Sequence, residues 1–391
     1  MINVTLFSQI TQLLPKESFK KLVREHGSDK YSKGIDSWTH LVSMLLCHFG
    51  QMSSVRDISN GMRSITGNLN HLGVKKAPAK SSVSYINKTR DWRLFRDFYY
   101  QLFDHLRSIH NFQQKSIPRL KKKIFLLDAT VVPLCLKMFD WAKFRSSKGA
   151  IKLHLLLDYQ GCLPVFVHMT EGKVHEKKVA EQLSLPTGSV VVFDRAYIDY
   201  QWLYNLDSNK VIFVTRAKTN MNYREVGFIP NDKIKYPNVC SDRKIRLSKG
   251  PSAKKYPKNL RLVDYLDSTT GKRYQFLTNQ MDWNAQTVAD VYKERWNIEV
   301  FFKQIKQNLH IKTFIGTSEN AVQIQVWTAM ISMLLLAFLK AKAKYQWHLS
   351  NMVTFIRINL FVKLALMDWL NRPFYKNSEL KNDTQIKLFT G

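Results

Sequence analysis

The chain has 391 residues, 45% of them hydrophobic, which excludes a disordered protein and leaves room for two or three cored domains. Lys plus Arg number 60 against 30 acids, a formal charge of +30, so the expected partner is a polyanion, with nucleic acid the first candidate. No lipidation signal, basic amphipathic anchor or secretion leader is visible, so no membrane is expected as partner. Cys47, Cys135, Cys162 and Cys240 lie far apart without a Cys-x-x-Cys pair, which argues against a zinc site. They read as reduced thiols, three in apolar settings, which suits a reducing cytosol.

Residues 1–118 read as a basic helical domain. Ser37 to Phe49 is an apolar helix, and Ser53 to Met62 a second, capped by Ser53 or Ser54. After a loop from Asn68 to Pro78, Ser81 or Ser82 caps a helix through Ser84, Tyr85, Asn87, Lys88, Arg90 and Arg93 to Phe103. Short helices with Ser, Tyr, Asn and Lys near one N-terminus suit a helix-turn-helix reader of DNA ends; a plain helical domain with a basic surface fits the same pattern.

Residues 119–216 change period. The apolar run Ile124-Phe125-Leu126-Leu127 ends in Asp128, as a central strand delivering an acid at its tip does. Lys152 to Asp158 and Leu163 to Met169 form a hairpin with Gly161 supplying the turn. A helix is expected from Glu171 to Leu183, then a buried strand from Ser189 ending in Asp194, a short helix from Asp199 to Leu206, and a strand from Val211 to Thr215. This order predicts an α/β fold with a mixed sheet, Asp128 and Asp194 ending adjacent parallel strands.

Residues 217–284 are basic and rich in Pro, with strand signals at Lys244 to Leu247, Leu260 to Leu266 and Arg273 to Thr278. They read as a β-rich insertion that extends a phosphate-binding surface. Residues 285–344 carry a helix entered near Asn284 to Thr287 and a long buried helix from Ser318 or Glu319 to Lys342. Residues 345–391 add a helix from Leu349 to Leu370, stopped by Pro373, and a polar tail from Lys376, with a possible dimer contact.

The helix that follows Asn284 carries one carboxylate among bases and aromatics. At about 100° per residue, Tyr292, Arg295, Glu299 and Lys306 share a stripe roughly 60° wide, flanked by Trp296 and Lys303. An ordinary solvated face with an i,i+4 pair from Arg295 to Glu299 is one explanation. It leaves Trp296 unexplained. If Glu299 instead converges with Asp128 and Asp194, three carboxylates must either protonate or hold cations. Hard oxygen donors without His or Cys favour Mg²⁺ or Mn²⁺, and two such ions suit phosphodiester chemistry. The flanking bases and aromatics would hold a backbone and splayed bases.

These residues resemble the bacterial insertion-sequence transposases of the DDE class, in particular the cut-and-paste group with a Tyr-Arg-Glu-Lys signature. Tyr, two residues, Arg, three residues, Glu, six residues, Lys is met by Tyr292, Arg295, Glu299 and Lys306. Asp194-Arg195-Ala196-Tyr197 resembles the second-Asp motif and Asp128-Ala129-Thr130 the first. The resemblance covers about 120 to 340. It implies an RNase H-like core and catalysis by Asp128, Asp194 and Glu299, which would bind two Mg²⁺, with Mn²⁺ able to substitute. It implies strand cleavage at transposon ends and strand transfer to target DNA by a homodimer in a synaptic complex. Tyr292, Arg295, Lys306 and Lys303 would contact DNA, with Trp296 against a displaced base. An RNase H-like nuclease or junction resolvase that never joins strands fits the same residues.

Overall fold

The structure is a computed structural model that describes residues 3–374 except 33, 66–68, 113–114, 118–119, 136, 146–147, 233, 249, 310 and 312–313. The expected polar tail from Lys376 lies outside the described residues.

Six helices come first: α1 (Leu6–Thr11), α2 (Lys16–Glu25), α3 (Ser37–Gly50), α4 (Val55–Ser64), α5 (Lys80–Thr89) and α6 (Arg93–Ile109). Their starts follow local chemistry. The Asp36 carboxylate accepts the Thr39 N–H at 2.7 Å to cap α3, and the Ser54 hydroxyl accepts the Asp57 N–H at 3.1 Å to cap α4. The expected single helix from Ser81 to Phe103 is two helices. Arg90 breaks it with an extended ψ of 129°, and Ala79 precedes α5 without a side-chain cap. Two residues expected on its DNA face are buried instead. Asn87 accepts from His40 at 2.7 Å, and Arg90 donates inward to the Ile35 carbonyl at 2.8 Å. Lys80, Ser81, Ser84, Tyr85 and Lys88 stay exposed along α5.

A 10-stranded mixed sheet follows. Its strands are β1 (Ile124–Leu134), β2 (Lys143–Arg145), β3 (Lys148–Asp158), β4 (Leu163–Glu171), β5 (Val190–Phe193), β6 (Ile212–Arg216), β7 (Tyr223–Phe228), β8 (Val239–Leu247), β9 (Leu260–Leu266) and β10 (Arg273–Thr278). The order is β2-β3-β1-β5-β6-β10-β9-β8-β7, with β4 also paired to β3. Antiparallel pairs join β1, β3 and β4, and parallel pairs join β1, β5 and β6. Between the strands lie α7 (Glu176–Ala180), α8 (Tyr200–Ser208) and α9 (Pro251–Lys255).

Three local expectations change. The β3–β4 turn takes its left-handed residue at Cys162 (φ 50°), not at Gly161, with Asp158 accepting the Gln160 N–H at 3.1 Å. The helix expected from Glu171 to Leu183 is only the short α7, because β4 runs on through Glu171. Strands β7 to β10 continue the same sheet, since β10 pairs antiparallel with β6. Of the cysteines, Cys135 and Cys240 are exposed rather than in apolar settings, and Cys47 is buried.

The chain ends in α10 (Ala285–Lys293), α11 (Trp296–Asn308), α12 (Glu319–Lys342), α13 (Leu349–Ile358) and α14 (Leu366–Asn371). The last helix expected as one piece, Leu349 to Leu370, is thus split. α12 is long and apolar enough to cross a membrane, but 94% of its apolar window is buried inside the fold. It packs against α3, α5 and α6, sharing one continuous core with α3 and α6, while Val83 and Ile86 of α5 form a small separate cluster with Ile35. His48 of α3 bridges the Leu309 carbonyl and the Thr328 hydroxyl, each at 2.9 Å. The Asn320 carboxamide donates to the carbonyls of Asn87 and Arg90 at 2.9 and 2.7 Å. The N-terminal helices are therefore fastened to the helix that follows the site, by buried polar contacts costly to leave unmade.

Candidate active site

Parallel pairing brings the two aspartates together. β1 and β5 run in register from Ile124↔Val190 to Leu127↔Phe193, and the next residue of each chain is an aspartate. Neighbouring strands are about 4.8 Å apart, and equal register puts both side chains on one face. Asp128 is not at a strand tip as expected: β1 runs on to Leu134 against β3, and Asp128 sits where the parallel pairing stops. Asp194 does leave its strand, and its Oδ1 accepts the Ala196 N–H at 3.0 Å to start the turn Arg195–Tyr197.

The third acid arrives on α11, which packs on β1. The expected single helix through Tyr292 to Lys306 is broken at Glu294 and Arg295. There the backbone bonds shorten to three-residue spacing, Arg295 N–H to Tyr292 O at 3.0 Å and Ile298 N–H to Arg295 O at 3.1 Å. Tyr292 therefore lies in the last turn of α10, where its ring packs 4.9 Å from Phe276. Glu294 turns aside to Asn297, as its place around the helix suggested.

Arg295 joins the acids. Its Nη1 donates to Asp128 Oδ2 at 2.7 Å and its Nη2 to Glu299 Oε1 at 2.5 Å. Burial pushes the Asp128 carboxyl up to about 6. Arg295 pulls it down, and the charges of Asp194 and Glu299 add to the rise. Burial alone would lower the Arg295 guanidinium, but Tyr292 and the two carboxylates hold it protonated. Among the described residues no group of three His, Cys, Asp or Glu side chains forms a ready-made metal cage. The Asp128 and Glu299 oxygens face one guanidinium instead of each other. As a donor set, three carboxylates suit a hard divalent cation once that guanidinium moves aside.

Two cavities flank Arg295. One of about 490 Å³ is lined by Asp128, Thr130, Glu299, Lys303 and Lys306, among others. Asp194 does not line it. Lys306 is tied to the strand beyond Asp128, with Nζ 2.5 Å from Thr130 Oγ1 and 2.9 Å from the Val131 carbonyl, while Lys303 is exposed. The second, of about 750 Å³, is lined by Arg216, Tyr265, Tyr274, Tyr292, Arg295 and Trp296, with the acids Asp267, Asp290 and Glu294 also on its wall. Trp296 is 63% exposed there. Sequence reasoning assigned no role to Thr130, Arg216 or Tyr274. Thr130 lies in the quoted Asp128-Ala129-Thr130 motif, whereas the pairing of Arg216 with Tyr274, 5.2 Å over its ring, depends on the β6–β10 neighbourhood.

Around this site His154 is structural. It is fully buried and bonds Tyr197 and Thr170, each at 3.2 Å. Asp199 caps α8 through the Gln201 and Trp202 N–H groups.

Residues 119–335 match the transposase DDE domain family, and residues 3–75 match a domain of unknown function (DUF4372). The chain is 31% identical over 260 residues to a probable transposase for insertion sequence element IS5377 of Geobacillus stearothermophilus, covering 66% of this chain and 68% of that one. A piggyBac transposase solved as a synaptic complex with hairpin DNA is similar at a TM-score of 0.44 and 11% identity, over 97% of this chain and 84% of that one. A DDE domain implies the use of divalent metal. The chain belongs to the DDE transposases of bacterial insertion sequences, enzymes that act on DNA.

Proposed function

We propose that this transposase binds the ends of its element and catalyses strand cleavage and strand transfer with Asp128, Asp194 and Glu299. The observation that supports this most is the in-register placement of Asp128 and Asp194 just past the β1–β5 parallel pairing, with Glu299 linked to Asp128 through one guanidinium. The sheet order β4-β3-β1-β5-β6, antiparallel and then parallel, supports an RNase H-like core.

In this reading the three acids would hold two Mg²⁺ ions, which would supply activation of a water or 3′-hydroxyl and stabilisation of the leaving oxygen. The protein's own residues do the positioning. Lys306, tied to Thr130, and the exposed Lys303 present charge to phosphates along the first cavity. Tyr292 and Arg295 face the second cavity, where the exposed Trp296 indole offers a surface for a base. The exposed stripe of α5, Lys80 to Lys88, is the surface for reading an end. The domain reading that accompanies it is end binding by 1–118, catalysis by 119–216 and 285–344, a basic insertion at 217–284 and a C-terminal part at 345–391. Two copies act as a homodimer on paired ends in the bacterial cytoplasm.

The test is a joining assay. Purified protein, Mg²⁺ and a duplex carrying the inverted repeat from the element's own flank should give cleaved ends, then products joined to a target plasmid. Cleavage without any joined product, from pre-cut ends as well, would replace this reading with that of a hydrolytic nuclease.

A further inference from the structure

We infer that Arg295 is the resident counter-ion of the acid cluster, filling the cation's place in the free protein and leaving it only when DNA offers a phosphate instead. The inference rests on reading Asp128, Asp194 and Glu299 as the ligands of a divalent cation.

The geometry supports an exclusive choice. Arg295 engages Asp128 Oδ2 at 2.7 Å and Glu299 Oε1 at 2.5 Å, oxygen atoms that a divalent cation bound by both acids would need. A guanidinium and a metal ion cannot occupy that space together, since both are cations and the gap between the carboxylates is one group wide. The Arg295 and Asp128 side chains are only 16% and 17% exposed, so little solvent screens that pair, while Glu299 at 34% is the more open partner.

The structure also offers the side chain a second station. Arg295 lines the aromatic cavity beyond the site, with its guanidinium 5.8 Å over the Tyr292 ring, while the two acids it bonds, Asp128 and Glu299, line the first cavity. Its Nε is buried without a hydrogen-bond partner, so the present position leaves one donor unmet. Arg216 lines the same second cavity. Lys293 lines it too, beside the acids Asp267, Asp290 and Glu294, so a DNA phosphate there would have to seat at the Arg216 and Arg295 side, where planar bidentate binding suits arginine. The backbone at Arg295 is the tight turn between α10 and α11, where a side chain can be redirected without moving either helix.

The consequence is linkage. DNA that draws Arg295 away raises metal affinity, and by reciprocity the metal raises DNA affinity. Free protein would then be kept from arming itself with metal before it holds DNA.

The experiment measures Mn²⁺ binding to the full-length protein by electron paramagnetic resonance of the free ion, with and without a duplex carrying the flanking inverted repeat. For the unaltered chain the duplex should tighten Mn²⁺ binding about tenfold or more. Arg295→Gln, with its fold checked by circular dichroism, should bind Mn²⁺ about tenfold tighter than the unaltered chain without DNA, and the duplex should add little. Arg295→Lys, a single point charge unable to bridge both acids, should fall between. Equal Mn²⁺ affinity of the unaltered chain with and without the duplex overturns the inference while the metal reading stands. Absence of Mn²⁺ binding by every form, with or without DNA, removes the metal reading itself. The unaltered chain alone decides the first point, so the result does not depend on a variant that folds.

Discussion

Arg295 Nη1 lies 2.7 Å from Asp128 Oδ2, although 167 residues separate them in the chain. That ion pair fastens α11 to β1, and through Arg295 it sets Glu299 beside the strand that carries Asp128. Removing one acid while keeping its shape should therefore leave the scaffold intact and stop the chemistry. Asp128→Asn, Asp194→Asn or Glu299→Gln should each lower strand cleavage by roughly a thousandfold, with end binding in a gel-shift assay within about twofold. Cleavage by any of the three within tenfold of the unaltered protein would falsify the triad.

Lys306 is held by the Thr130 hydroxyl at 2.5 Å and the Val131 carbonyl at 2.9 Å. Thr130→Val keeps the shape of the strand and deletes the first of these acceptors. A charge-assisted hydrogen bond contributes about 1.5–3 kcal/mol, so cleavage should fall roughly ten- to a hundredfold while the melting temperature shifts by only a few degrees. Single-turnover cleavage beside calorimetry separates the two. A large loss of stability at unchanged cleavage would make the contact purely structural.

Trp296 is 63% exposed, so Trp296→Ala should cost less than about 0.5 kcal/mol of stability. If a base stacks on it, the same change should weaken handling of single-stranded or splayed ends by about 1–3 kcal/mol. Fluorescence titration with a duplex whose end is frayed, against one that is fully paired, reads this directly. Equal affinities for the variant and the unaltered chain on the frayed duplex would count against stacking.

Arg261 and Asp242 form a fully buried pair, at 2.8 and 2.5 Å, and Arg261 also donates to the carbonyls of Gln280, Met281 and Trp283 in the turn that leads to α10. Asp242→Asn leaves that charge without its partner and should destabilise the protein by about 3–5 kcal/mol. Arg261→Met combined with Asp242→Leu should recover part of the loss, because two apolar residues strand no charge. Urea unfolding of the three forms tests the order.

His40 is fully buried, and burial pushes its imidazole down to about 3, with Arg90 adding to the fall and the bond to Asn87 opposing it. An unfolded His titrates near 6.5. Between these values the unfolded state binds the proton and the folded state does not, so stability falls as pH drops. Above pH 6.5 the contribution is complete; below it the loss is about 1.4 kcal/mol per pH unit. His154, pushed down by burial to about 4, acts in the same sense over a narrower window. His40→Gln should be less stable at pH 8 yet show a flatter decline between pH 6.5 and 5 in denaturant titrations. An unchanged slope would show that His40 does not set the acid limit.

Part of the fold that carries the candidate site was legible because its signals are local. Caps act within three residues, so Asn284, Ser318 and Asp199 mark their helices from sequence alone. An apolar run ended by an acid reports a buried strand, and in-register parallel strands then carry Asp128 and Asp194 to one place. Other features have no local signature. The break at Arg295 sits in a stretch without Pro or Gly, and it forms where the side chain is held by an acid from a strand far away. Cys162 rather than Gly161 takes the left-handed turn because the β3–β4 register demands it. Asn87 and Arg90 look like surface residues of a DNA-reading helix, yet His40, Asp29 and the carbonyl of Ile35 draw them inward. The one-dimensional pattern determines which residues can bond to near neighbours and which face is apolar. Where a cation such as Arg295 finally rests is decided by charges brought together from distant segments, and those meet only when the sheet and helices have packed.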